Sequence, residues 1–75
     1  MLLLGKPGCH LCDDARAIVT DVLRDFPDVG FDESSILDDP GLLDAYAEEI
    51  PVVLIDGKVH TIWRVDPARL RKALS

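Results

Sequence analysis

The sequence predicts an α/β domain in the order β-α-β-α-β-β-α, a small mixed sheet covered by helices. Three observations predict it. An apolar stripe at helical spacing, Leu11, Ala15, Ile18, Val22 and Phe26, lies between two short strand-like stretches. Asp39-Pro40 and Asp66-Pro67 each open a further amphipathic run. Asp56-Gly57 separates two β-branched runs, as a hairpin turn does. A strand–helix–strand opening favours a parallel pair joined by a right-handed crossover, and the closing hairpin adds antiparallel strands.

Each element has its own justification. Met1–Leu4 is an apolar run ended by Gly5, Pro7 and Gly8, and fits a strand buried on both faces. In the first helix, Val19 and Leu23 widen the stripe. Asp13 and Asp14 complement the positive end of its dipole, and Pro27 stops it. Between Val29 and Leu37, Val29, Phe31 and Ile36 suggest a second strand that Gly30, Ser34 and Ser35 weaken. Asp39 then reads as an N-cap with Pro40 at the first helical position. Leu42, Leu43, Tyr46 and Ile50 give this second helix its apolar face, and Pro51 marks its exit. Val52–Ile55 and Lys58–Ile62 are the two arms of the hairpin. Asp66-Pro67 repeats the cap signal, and Leu70, Ala73 and Leu74 form the inner face of the last helix.

The 75 residues allow one domain, residues 1–75. Of these, 48% are apolar, the proportion of a globular chain rather than a disordered one. A chain of this length buries only about 60% of its unfolded surface, so its core must be compact. No stretch approaches the roughly 18 apolar residues of a membrane span. The run Met1–Leu4 is shorter than a signal-peptide core of about 7–15 residues, so a soluble, unsecreted, cytoplasmic chain is expected. The net charge of −6 argues against nucleic acid as a partner, because phosphate binding needs clustered Lys and Arg. That charge is unevenly spread. Residues 1–24 are neutral, residues 25–57 hold ten carboxylates and no Lys or Arg, and residues 58–75 carry a net +4. An acidic face on the second helix and an electropositive C-terminal edge are therefore expected.

Both cysteines fall in Cys9-His10-Leu11-Cys12, between the first strand and the first helix. A C-x-x-C beside a βαβ pattern reads as a redox motif. The placement has a physical reason, because a thiolate at a helix N-terminus meets unpaired N–H groups and the positive dipole end. Cys9, at the turn before the helix, is the more exposed and is the candidate nucleophile. Cys12, one turn in, is the candidate resolving thiol. His10, as imidazolium, would favour a thiolate, or it simply points to solvent. Lys6 has the same two readings, while Asp13 and Asp14 oppose a nearby thiolate.

Two other uses of the pair compete. A structural disulfide closing a four-residue loop removes on the order of 2 kcal/mol of chain entropy, against about 3 for a 15-residue loop, so it is a poor staple. Unsecreted chains also rarely keep one. A zinc site needs about four ligands and one C-x-x-C supplies two. His10 and His60 are the only histidines and neither has the usual spacing. No metal site within one chain is expected, although one shared between two chains stays open.

The segment Gly5-Lys6-Pro7-Gly8-Cys9-His10-Leu11-Cys12-Asp13, followed by Ile50-Pro51-Val52-Val53 and Asp56-Gly57-Lys58, resembles the glutaredoxin-like branch of the thioredoxin superfamily, and its small bacterial members most closely. The resemblance covers nearly the whole chain and is weakest over residues 29–37. It implies a thioredoxin-like (glutaredoxin) α/β fold with a four-stranded mixed sheet and helices on both faces. It implies that Cys9 attacks and Cys12 resolves. It further implies a cis Ile50-Pro51 bond facing the cysteines, with the backbone of Ile50 pairing with an extended substrate. On the residues alone, Pro51 is a helix stop.

The departures are specific. His10-Leu11 stand where typical glutaredoxins have Pro-Tyr. The stretch Thr61-Ile62-Trp63-Arg64-Val65-Asp66 replaces the Gly-Gly pair that helps hold glutathione, which weakens the expectation of glutathione as co-substrate. Trp63 is expected to pack under the third helix and, second to that, to form a recognition surface. Arg64 either pairs with a carboxylate or is a surface charge.

The leading expectation is a monomeric thiol–disulfide oxidoreductase with no resident cofactor. It would act on protein or low-molecular-weight disulfides and draw electrons from thioredoxin reductase or glutathione. The alternatives are a metal or iron–sulfur module using Cys9 and a non-catalytic thioredoxin-fold adaptor.

Overall fold

The computed structural model describes residues 1–75. Strand β1 (Leu2–Gly5) turns through Lys6-Pro7-Gly8 into helix α1 (His10–Leu23). The buried stripe of α1 runs through Cys12, Ala15, Val19 and Val22. Leu11 and Ile18, expected on that stripe, stand at its margins. The helix stops at Leu23, short of Phe26. Beyond it, Asp25 N–H donates to Val22 C=O (3.1 Å) and Phe26 N–H to Leu23 C=O (3.0 Å), tightening the chain into a turn ahead of Pro27. Phe26 still packs on the core, but from that turn.

Strand β2 (Asp32–Ser35) runs parallel to β1, as the strand–helix–strand opening predicts. None of Val29, Phe31 and Ile36 lies in it. β2 is an edge strand whose side chains are largely in solvent, so it is held by backbone pairing with β1 rather than by an apolar face. Ser35 ends it and caps a short 3₁₀ turn, Ile36–Asp38, by accepting Leu37 N–H at 3.1 Å. Helix α2 (Pro40–Tyr46) starts on Asp39, whose carboxylate accepts Gly41 N–H at 2.8 Å. It ends before Ile50, so Ile50 is not part of its face and Pro51 is not what terminates it. Strands β3 (Val52–Ile55) and β4 (Lys58–Ile62) form the hairpin around Asp56-Gly57, both of which have positive φ. Asp66 caps α3 (Pro67–Leu74) by accepting Ala68 N–H at 2.9 Å.

The four strands form one mixed sheet in the order β2-β1-β3-β4. Leu3 lies opposite Val53 and Leu4 opposite Val52. The period of two sends these pairs to opposite faces. Leu3 and Val53 pack with Ala15, Val19 and Val22 of α1 and Leu70 of α3. Leu4 and Val52 pack with Ile36, Ile50 and Cys12, and Leu42 and Tyr46 of α2 close over them. Helices therefore cover both faces, as the sequence predicts. No helix is long and apolar enough to cross a membrane.

Leu70 is the one fully buried residue of α3, with 0% of its surface exposed, and it anchors that helix to the sheet. Leu70→Ala is expected to cost about 2–5 kcal/mol of unfolding free energy. Urea denaturation checks this, with the midpoint falling and the slope unchanged.

Candidate functional site

The site forms where β1 hands the chain to α1. Gly8, at φ 77°, turns the backbone in a conformation that favours glycine, and Cys9 follows in an extended one (φ −94°, ψ 111°). Cys9 is the N-cap of α1. Its carbonyl accepts Asp13 N–H at 3.1 Å and its Sγ accepts Cys12 N–H at 3.3 Å. An N–H donor is thus aimed at the sulfur on which a negative charge would develop.

The two thiols, both free, differ in exposure: Cys9 is partly exposed, and Cys12 is buried with 2% of its surface accessible. Burial pushes the Cys12 thiol up to about 11, and its hydrogen bond to Cys9 and the charges of Cys9 and Asp13 add to the rise. The Lys6 backbone acts the other way and lowers it.

Gly5 makes the room that Cys12 occupies. A Cβ on Gly5 would stand 3.0 Å from Cys12 Sγ and 3.2 Å from its Cβ. In the sequence Gly5 is legible as the end of a strand and as the first residue of the segment that carries the family resemblance. Its position seven residues before Cys12, where the first turn of the helix folds back over the strand end, was the available signal.

The structure brings Ile50 to the cysteines. Ile50 is buried in one cluster with Cys12, and Cys9 packs against that cluster. The Ile50-Pro51 peptide bond is cis. Lys6 and His10 flank Cys9 in sequence, but both side chains are exposed and neither makes a hydrogen bond or ion pair. Lys6, Cys12 and Gly5 border a cavity of about 220 Å³ that reaches to β2. On its far side Arg16 donates to Glu33 at 2.6 Å and to Asp13 at 3.0 Å, and these carboxylates raise the guanidinium above its ordinary value. No group of three or more His, Cys, Asp or Glu side chains is gathered to hold a metal ion. His60 lies on β4, where burial and, to a smaller extent, Arg69 lower its pKa.

Trp63 departs from expectation. It does not pack under α3. It is 55% exposed, and its indole Nε1–H donates to Glu48 C=O at 3.0 Å.

The family described as Glutaredoxin-like domain (DUF836) matches residues 1–75. Uncharacterized protein Rv0508 of Mycobacterium tuberculosis is 32% identical over 73 residues, spanning 92% of this chain and 75% of that protein. Uncharacterized protein Mb0520 of Mycobacterium bovis is 32% identical over 73 residues, with the same shares of 92% and 75%. The X-ray structure of target protein XcR50 from X. campestris superposes with a TM-score of 0.72 at 30% identity, covering 97% of this chain and 92% of that one. The α/β architecture with its four-stranded mixed sheet is the one the family resemblance implies.

Two outcomes follow from the packing of Cys12. Because its thiol is raised to about 11, the folded dithiol form favours the neutral sulfur. That stability is complete below the ordinary thiol range and is lost as pH rises toward 11, by on the order of 2 kcal/mol. Urea midpoints of the reduced protein between pH 8 and 11 are expected to fall more steeply than those of Cys12→Ala (both pH values bracket the reference range for thiols of about 8.5). Gly5→Ala is expected to lose about 1–3 kcal/mol through overpacking against Cys12, read in the same way.

Proposed function

We propose, from the premise that the chain belongs to the glutaredoxin-like domain family, that it is a thiol–disulfide oxidoreductase working through Cys9 and Cys12. One observation carries the reading. A partly exposed sulfur caps α1, and a buried thiol lies one helical turn behind it on the same end of the sheet.

The chemistry balances with these two residues and one disulfide substrate. The Cys9 thiolate attacks one sulfur of the substrate disulfide. The substrate S–S bond breaks, a Cys9–substrate disulfide forms, and the departing thiolate takes up a proton. Cys12 then loses its proton and attacks Cys9 Sγ. The Cys9–Cys12 disulfide forms, the second substrate thiol leaves, and two electrons have passed to the substrate. An external thiol reductant, thioredoxin reductase or glutathione, returns the pair to the dithiol state. Ile50 lies against this end of the sheet, and its backbone is the proposed edge on which an extended substrate pairs. Lys6 contributes positive charge at the mouth of the site rather than a contact to the sulfurs, and His10 adds to it only as imidazolium. The protein acts as a monomer in the cytoplasm, on protein or low-molecular-weight disulfides.

Disulfide reduction by the wild-type chain is expected to be lost in Cys9→Ser, by roughly three orders of magnitude or more. Cys12→Ser is expected to stop after the first transfer and to accumulate a mixed disulfide at Cys9, visible as an added mass. Alkylation gel shifts in graded redox buffers should show one intramolecular disulfide in the wild type. Activity that survives Cys9→Ser overturns the reading.

A further inference from the structure

Trp63 stands immediately after β4 with φ 66°, a left-handed conformation that favours glycine. Two hydrogen bonds hold it there. Its backbone N–H donates to Pro51 C=O at 2.9 Å and its indole N–H to Glu48 C=O at 3.0 Å. The residue is thus tied on one side to the segment that carries Ile50 and Pro51. Its ring is still 55% exposed. With the indole N–H already satisfied, what the exposed ring offers is an apolar face.

That face borders a cavity of about 170 Å³. Leu11, Ala15 and Ile18 of α1 form one wall and Val65 closes it, with Asp14 and Arg64 as the charged members. Leu11 is itself 37% exposed. The cavity therefore runs along the helix that Cys9 caps, on the side away from the Arg16–Glu33 pair.

We propose that Trp63 is a specificity-determining residue, and that this cavity takes one apolar side chain flanking the reacting cysteine of an extended polypeptide disulfide. The proposal rests on the oxidoreductase reading above and names its substrate class. Size fits one side chain, since an apolar cavity of about 150 Å³ holds a benzene ring. Charge fits a neutral occupant, because Asp14 and Arg64 offset one another and draw no ligand of a single sign. The site is continuous with the proposed substrate edge, because Pro51 both follows Ile50 and accepts the Trp63 N–H. A small hydrophilic disulfide would leave Trp63 and Leu11 wet and gain nothing from them.

The test compares two synthetic peptide disulfides that differ only in having Leu or Gly beside the reacting cysteine, with glutathione disulfide as a third substrate. The wild type is expected to prefer the Leu peptide by about tenfold in kcat/KM. Trp63→Gly relieves the left-handed backbone and keeps the N–H that donates to Pro51 C=O, while giving up the indole bond to Glu48. In it the preference for the Leu peptide over the Gly peptide is expected to fall to near unity. A second readout needs no turnover. Trp63 is the only tryptophan, so its emission reports occupancy of the cavity. Titrating Cys9→Ser with the same peptides, their cysteine replaced by serine, is expected to give a saturable blue shift with the Leu peptide alone. An active enzyme with no Leu preference and no shift overturns the proposal and leaves the oxidoreductase reading standing. A shift that follows protein concentration without peptide also overturns it, since a second copy then fills the cavity. A chain inactive on every disulfide that still shows the Leu-dependent shift supports the pocket and sinks the oxidoreductase reading.

Discussion

The N-terminus of α1 is closed by a sulfur, and the arrangement of the site follows from that. A helix leaves its first N–H groups without intrahelical partners. α2 and α3 satisfy theirs with the carboxylates of Asp39 and Asp66. α1 uses Cys9 Sγ instead. A neutral thiol is a weak acceptor, whereas a charged acceptor makes a much stronger bond. One hydrogen bond thus serves the fold and, in the proposed chemistry, the nucleophile. It also fixes Cys12, whose N–H is the donor and whose side chain then lies one turn in, against Gly5 and Ile50.

Charge is segregated along the sequence but partly rejoined in the fold. Arg71, from the basic C-terminal stretch, pairs with Asp25 at the start of the acidic segment, beyond the end of α1. Arg16 of α1 pairs with Glu33 of β2. Both pairs are largely exposed, so each adds little to stability. The first joins α3 to the turn after α1, and the second joins α1 to the edge strand. Arg64 makes no ion pair and faces the cavity beside Trp63.

How much of this was legible in the sequence depended on whether the signal was local. The last helix and the hairpin were legible with their ends, because Asp66-Pro67 and Asp56-Gly57 are short-range chemistry that tertiary packing does not override. The place of the cysteine pair at the start of α1 was legible in the same way, and so was the exposed-then-buried order of its thiols. β2 was not, since an edge strand paired through its backbone needs no apolar alternation. Ile50 was misplaced by spacing alone, since it matches the helical spacing of Leu42, Leu43 and Tyr46 yet lies beyond the end of α2; the family resemblance, not the spacing, put it beside the cysteines. The room that Gly5 leaves and the anchoring of Trp63 were not legible, for different reasons. The seven-residue spacing from Gly5 to Cys12 carries its signal only once the helix is known to fold back over the strand end, whereas Trp63 is held by Glu48 and Pro51, which no spacing rule connects to it.

The burial of Cys12 gives the proposed cycle its order. Its thiol is raised by burial first, and then by its hydrogen bond to Cys9 and by the charge Cys9 carries as thiolate. Burial, the charge of Asp13 and the opposing Lys6 backbone bond do not depend on what Cys9 is doing. In the proposed cycle a thiolate at Cys9 disfavours a second charge on Cys12, so the exposed sulfur attacks first. Once Cys9 is bound in a mixed disulfide it carries no charge, and its share of the rise disappears. Cys12 then ionises more readily than before, at the step where it is needed. Burial makes Cys12 a poor nucleophile toward solvent, and the contributions of Cys9 tie its activation to the first transfer.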